Sequence, residues 1–129
     1  MKVLLIGFGS IGKRHYEVLS KLSGIQSIDL VTKQNIEDKI CYKNLKDVDN
    51  INQYDYFLIA TETNKHFEQL KFLEENAKNK LIFCEKPLFE SKQNLVIKNN
   101  KIFIGYVLRF HPLLEKLKER RGNRPPPRR

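Results

Sequence analysis

Residues 1–12 read MKVLLIGFGSIG. Lys2 to Ile6 is a short apolar run that reads as a buried strand. Gly7, Gly9 and Gly12 follow it at the spacing G-x-G-x-x-G. Ile11, Val18, Leu19 and Leu22 then recur at helical spacing, so a helix opens at the glycines. A strand, a glycine turn and an amphipathic helix in direct succession are the structural context that gives this glycine pattern its meaning.

The rest of the chain continues the alternation. Ser27–Val31 (SIDLV) reads as a second strand and Lys39–Tyr42 as a short third one, followed by a helical stretch around Leu45–Ile51. Tyr56–Ala60 (YFLIA) is a continuous apolar strand. Asn64 can cap the next helix, which the spacing of Phe67, Leu70 and Leu73 carries to about residue 76. Leu81–Cys84 (LIFC) is a further buried strand, Ser91 can cap a helix to about Asn99, and Lys101–Val107 (KIFIGYV) is the last strand. Apolar strands alternating with amphipathic helices predict a parallel sheet with helices on both faces. The expected fold is therefore a three-layer, doubly wound α/β domain of Rossmann type. Pro112–Glu119 reads as the start of one more amphipathic helix.

Each glycine of the first turn has its own task. Gly7 allows the tight exit from the strand, Gly9 lets the backbone approach a pyrophosphate, and Gly12 lets the helix pack against the strand. The helix N-terminus offers N–H groups and a partial positive charge to that pyrophosphate. Gly7, Phe8, Gly9, Ser10, Ile11 and Gly12 thus form the first segment of a candidate dinucleotide site. Ligands of such sheets bind beyond the carboxyl ends of the strands, so the residues after each later strand follow. After the second strand come Thr32 and Lys33, where an NAD site places an acid about 20 residues beyond the glycines. A hydroxyl and a positive charge suit a 2′-phosphate instead, which predicts NADP in preference to NAD; the plainer role for Lys33 is a surface lysine.

After the fourth strand, Ala60, Thr61, Thr63 and His66 place hydroxyls and an imidazole where ribose and nicotinamide contacts are needed. Plainer roles are available here too, with Thr63 or Asn64 capping a helix and His66 solvated in its first turn. After the fifth strand comes Glu85-Lys86-Pro87. Lys86 at the mouth of a dinucleotide cleft could donate a proton to a substrate oxygen, and Glu85 could hold the lysine or a ribose hydroxyl. A Glu-Lys pair also serves as ordinary surface charge.

A chain of 129 residues makes one domain with a modest core. No apolar run approaches the roughly 20 residues of a membrane span, and the N-terminus lacks a signal peptide's cleavage site. Cys41 and Cys84 are isolated, as reduced thiols in a cytoplasmic protein are. No Cys/His cluster has metal-ligand spacing. The net charge of +9 invites a nucleic-acid reading, but its placement opposes one. Residues 120–129 hold five of the 24 basic residues and none of the 15 acidic ones, leaving 19 against 15 in residues 1–119. The remaining lysines are interspersed with acids as on a solvated surface, whereas a nucleic-acid footprint is clustered.

The segments GFGSIGKRH (7–15), ATETNKH (60–66), CEKPL (84–88) and GYVLRFHP (105–112) together resemble the glucose–fructose oxidoreductase/inositol dehydrogenase (Gfo/Idh/MocA) family. They occur in the family's order and spacing and cover nearly all of residues 1–112. The resemblance implies an NAD(P)-dependent oxidoreductase acting on a sugar, sugar nucleotide or polyol. It implies that Lys86 is the active-site lysine near the nicotinamide and that Pro87 follows a cis peptide. Glu85, Thr61, Thr63 and His66 would line the cofactor cleft, and Tyr106 and Arg109 would lie near the substrate. Family members carry a second domain beyond this region, which usually builds a dimer interface and supplies further catalytic groups. The expectation is therefore that residues 1–119 are the cofactor-binding half of an oligomeric parent enzyme. The 129-residue chain alone would be weakly active or inactive.

The ending RRGNRPPPRR departs from a body that is rich in Lys, Asn and Ile. It is expected to be a non-native or solvated tail, since such a composition cannot form a packed core. Two other functions remain open: a non-enzymatic NAD(P)-binding sensor, and a nucleic-acid binder using the arginine tail.

Overall fold

The structure, a computed structural model, describes residues 1–86 and 95–105. Strands Lys2–Ile6 (β1), Ser27–Val31 (β2), Cys41–Tyr42 (β3), Tyr56–Ile59 (β4), Leu81–Glu85 (β5) and Lys101–Gly105 (β6) form one six-stranded sheet. Its order is β3-β2-β1-β4-β5-β6, and every neighbouring pair is parallel. The two α-helices among the described residues, Ser10–Ser20 (α1) and His66–Asn76 (α2), lie in the crossovers after β1 and β4.

Period-two alternation splits the strand side chains between two cores. Val3, Leu5, Leu30, Tyr56, Leu58 and Phe83 point to one face, where Leu19 of α1 joins them. Leu4, Ile6, Phe57, Ile59, Ile82 and Cys84 point to the other, where Leu70 and Leu73 of α2 cover them. Because both faces are covered, the central strands are apolar throughout and β4 is buried at every position. This is the three-layer, doubly wound arrangement expected of the sequence. Among the described residues, no helix is long and apolar enough to cross a membrane.

Several local expectations are corrected. The stretch around Leu45–Ile51 is not one helix but two single 3-10 turns, Leu45–Asp47 and Ile51–Gln53. Between them Asn50 takes a left-handed conformation, φ 46°, which breaks helical continuity. Asn64 does not cap α2. It lies inside a 3-10 turn, Thr63–Lys65, that delays the helix to His66 and leaves it without a side-chain cap. The third strand shortens to Cys41–Tyr42. The helix expected to reach Asn99 is absent over residues 95–100. There the N–H groups of Lys98 and Asn99 both donate to the Glu74 carboxylate at 2.8 Å, which withdraws them from any helical ladder. The start of that helix, Pro87, Tyr106, Arg109, the Pro112–Glu119 helix and the 120–129 tail lie outside the described residues.

Glu74 ties α2 to the approach of β6. Burial pushes its carboxyl up, but the Lys98 and Asn99 N–H groups, the Asn100 amide and the Lys98 charge outweigh burial and bring it below its ordinary value. A carboxyl lowered in the folded state contributes stability above its unfolded pKa, and that contribution is lost as pH falls through the folded value. Urea-unfolding midpoints should therefore drop on acidification below about pH 5. Glu74→Gln should make that decline shallower; a slope identical to the parent's contradicts the assignment.

Candidate functional site

The register lines up the carboxyl ends of the strands. Ile6 lies opposite both Val31 and Ile59, and Ile59 lies opposite Cys84. The segments that follow β1, β2, β4 and β5 therefore emerge along one edge. The strand order reverses between β1 and β4, which is where a crevice opens in such sheets.

The three glycines answer to different constraints. Gly7 has φ +101°, and a Cβ there would stand 2.7 Å from the Ala60 carbonyl oxygen and 2.9 Å from Thr61 Cγ2. A Cβ on Gly12 would stand 2.3 Å from the Gly7 carbonyl oxygen. Packing within the chain therefore accounts for both. Gly9 is different: its extended backbone (φ −78°, ψ −161°) suits any residue, and a Cβ would meet nothing within 4 Å. Gly9, Ser10 and Ile11 are exposed at the start of α1, which has neither a side-chain cap nor an acid in its first turn.

Neighbouring segments brace this turn. The Gly7 N–H donates to the Val31 carbonyl at 2.9 Å, and the Gln34 amide donates to the Phe8 carbonyl at 2.7 Å. The Phe8 ring meets Tyr16 edge-on at 5.8 Å. After β2, Thr32 is nearly buried and its Oγ1 accepts the Gln34 N–H at 3.2 Å. Lys33 is exposed, and its carbonyl accepts Lys43 Nζ at 2.9 Å. Asp29, the one acid of β2, is turned into the core and accepts Tyr54 Oη at 2.5 Å. Burial and that partner push the Tyr54 phenol well up.

After β4, Ala60 and Thr61 lie against Gly7. Thr61 Oγ1 donates to Gln69 Oε1 at 2.6 Å. His66 is 1 % exposed, so it is not a solvated first-turn residue. Its Nε2 donates to the Thr61 carbonyl at 3.0 Å, so the ring bears on the edge through that carbonyl. Thr63 is half-buried in the 3-10 turn.

At the end of β5, Glu85 points with Leu81 and Phe83 toward α1. Its carboxylate accepts His15 Nε2 at 2.6 Å, so the hydrogen-bond partner is a helix histidine. Glu85 is only 8 % exposed. Burial and the Glu85 charge push the Cys84 thiol up to about 12 and raise the Tyr56 phenol, leaving Cys84 a neutral core residue. Lys86 is exposed on the same edge, and its N–H donates to the Gly105 carbonyl at 2.9 Å.

A family model described as an oxidoreductase family with an NAD-binding Rossmann fold (GFO_IDH_MocA) matches residues 1–97. The chain belongs to the Gfo/Idh/MocA family. Solved structures with the same fold include a probable dehydrogenase from Thermotoga maritima, with TM-score 0.64 and 24% identity over 95% of this chain and 41% of that one. The WlbA dehydrogenase from Thermus thermophilus, in complex with NAD and alpha-ketoglutarate, matches with TM-score 0.63 and 18% identity over 98% of this chain and 48% of that one. A myo-inositol 2-dehydrogenase from Lactobacillus plantarum matches with TM-score 0.60 and 24% identity over 70% and 29%. The chain spans less than half the length of each of these structures. Comparison with curated proteins gives no match.

In this Gfo/Idh/MocA chain the sequence reading passed over His15, Gln34 and Gln69. His15 carried a signal, because it lies three residues after Gly12 and four before Leu19, on the inward side of α1. Gln34 and Gln69 carried none, since their partners depend on how separate loops meet. The glycine geometry yields a stability contrast. Gly12→Ala should destabilise the fold by about 2 kcal/mol, because its Cβ meets backbone. Gly9→Ala should leave the urea midpoint nearly unchanged. Equal losses at the two positions would contradict this division.

Proposed function

We propose that the chain binds a nicotinamide dinucleotide along the carboxyl edge of its sheet, with NADP preferred over NAD. On this reading it serves a hydride-transfer oxidoreductase. The supporting observation is Gly9, a glycine that neither its backbone conformation nor any neighbouring atom requires. A glycine with open space above it, at a bare helix N-terminus, fits the close passage of a pyrophosphate. The first helical bond of α1 is donated by Lys13 to Gly9 at 2.9 Å, so the N–H groups of Ser10, Ile11 and Gly12 precede the helical ladder and can serve a phosphate.

The other roles follow the order of the strands. Thr32 and Lys33 take the adenosine ribose and its 2′-phosphate, a reading favoured by Asp29 being committed to Tyr54. Thr61 and Thr63 face the nicotinamide ribose, and His66 supports them through the Thr61 carbonyl. The bound nicotinamide gives or accepts a hydride. Lys86 Nζ moves the accompanying proton at the substrate oxygen, with Pro87 on the cofactor side and Tyr106 and Arg109 on the substrate side. A sugar, sugar nucleotide or polyol as substrate rests on the motif resemblance, as does a larger oligomeric parent of which residues 1–119 form the cofactor half.

Titration calorimetry of the chain with NADPH and NADH tests the reading. NADPH should bind more tightly, and Gly9→Ala should weaken it by at least about tenfold through contact with the pyrophosphate, at unchanged stability. Tighter NADH binding overturns the NADP assignment. Unchanged affinity in Gly9→Ala overturns the placement of the pyrophosphate.

A further inference from the structure

His15 and Glu85 join two segments that the sheet itself keeps apart. α1 packs over β1 and β2, while Glu85 ends β5, two strands from β1 across β4. His15 Nε2 reaches Glu85 Oε2 at 2.6 Å, and its ring meets Phe83 edge-on at 5.6 Å. His15 is fully buried and Glu85 nearly so. Burying such a pair costs desolvation, and apolar side chains of similar volume commonly give equal or greater stability. Stability alone is therefore a poor reason for a polar pair at this place. What the pair does supply is direction: a short, charge-assisted bond between one nitrogen and one oxygen.

We propose that His15 is a positioning residue, which by holding Glu85 fixes the end of β5 against α1 and so sets Lys86 relative to the glycine turn. The inference rests on the dinucleotide reading of the edge. α1 presents its N-terminus to the pyrophosphate, and the residue after Glu85 is the lysine assigned to the reacting end. A dinucleotide spanning both ends needs their separation held, because small misplacements at a reacting centre are expensive. Glu85 then acts through His15 and the backbone rather than by touching the cofactor.

The test separates the two ends of the ligand. NADPH is compared by calorimetry with 2′-phospho-ADP-ribose, which keeps the 2′-phosphate and pyrophosphate but lacks the nicotinamide. Two variants are used: His15→Gln, which keeps a donor for Glu85, and His15→Leu/Glu85→Leu, which keeps burial and removes the bond. The double variant should bind the fragment within about twofold of wild type but NADPH about tenfold more weakly, the scale of one charge-assisted bond. His15→Gln should stay within about threefold of wild type for both ligands. Equal losses for the two ligands, or no loss for NADPH, overturn the positioning role. If the double variant fails to fold, His15→Asn carries the same comparison, because its shorter amide stops short of Glu85. A wild-type chain that binds neither ligand overturns the dinucleotide reading itself; one that binds both with no split in the variants overturns only the inference about His15.

Discussion

The close contact between α1 and the turn leaving β1 governs the rest of the edge. It exists because position 12 has no side chain: a Cβ there would overlap the carbonyl oxygen of Gly7. Gly7 in turn lies so close to Ala60 and Thr61 that β4's exit is set by the same turn. The helix N-terminus is thereby brought over the β1/β4 reversal, which is the one place in this sheet order where a crevice opens. Gly9 stands at the mouth of that arrangement and is the member of the trio that the chain's own packing leaves unexplained.

Around this contact, buried polar groups hold loops that apolar packing could not orient. His66 takes the Thr61 carbonyl, His15 takes Glu85, Tyr54 takes Asp29, and Glu74 takes two N–H groups before β6. An apolar contact tolerates sliding, whereas a buried hydrogen bond left unmade costs about 1–3 kcal/mol. These five bonds therefore specify where strand exits and connections sit. Two of the five bear directly on segments that end at the carboxyl edge.

The strands were legible because a sheet covered on both faces demands unbroken apolar runs, as in VLLI and YFLI. The glycine turn was legible because its constraints are local. What the sequence hid depends on long-range partners. Glu85 reads as a surface neighbour of Lys86 until folding brings His15, 70 residues away, beneath it. Residues 95–99 fall within the stretch that a Ser91 cap would carry as a helix, yet Glu74 captures the N–H groups that such a helix needs. Asn50 breaks an apparent helix through a backbone conformation that its residue type permits but does not require. The site was thus readable as a set of strand-end segments, while the bonds between them were not.

Membership of the Gfo/Idh/MocA family and the doubly wound fold agree on where a dinucleotide would lie. The central claim is that its pyrophosphate rests on the N-terminus of α1 above Gly9. Backbone amide spectra of the isotopically labelled chain, recorded during titration with NADPH, test this most directly. The account predicts saturable shifts at Gly9, Ser10, Ile11 and Gly12, with smaller ones at Thr32, Thr61 and Lys86. Shifts confined to the opposite edge of the sheet, at Gln26, Asp55 and Lys80, or amides of residues 9–12 that do not move at saturation, would contradict it.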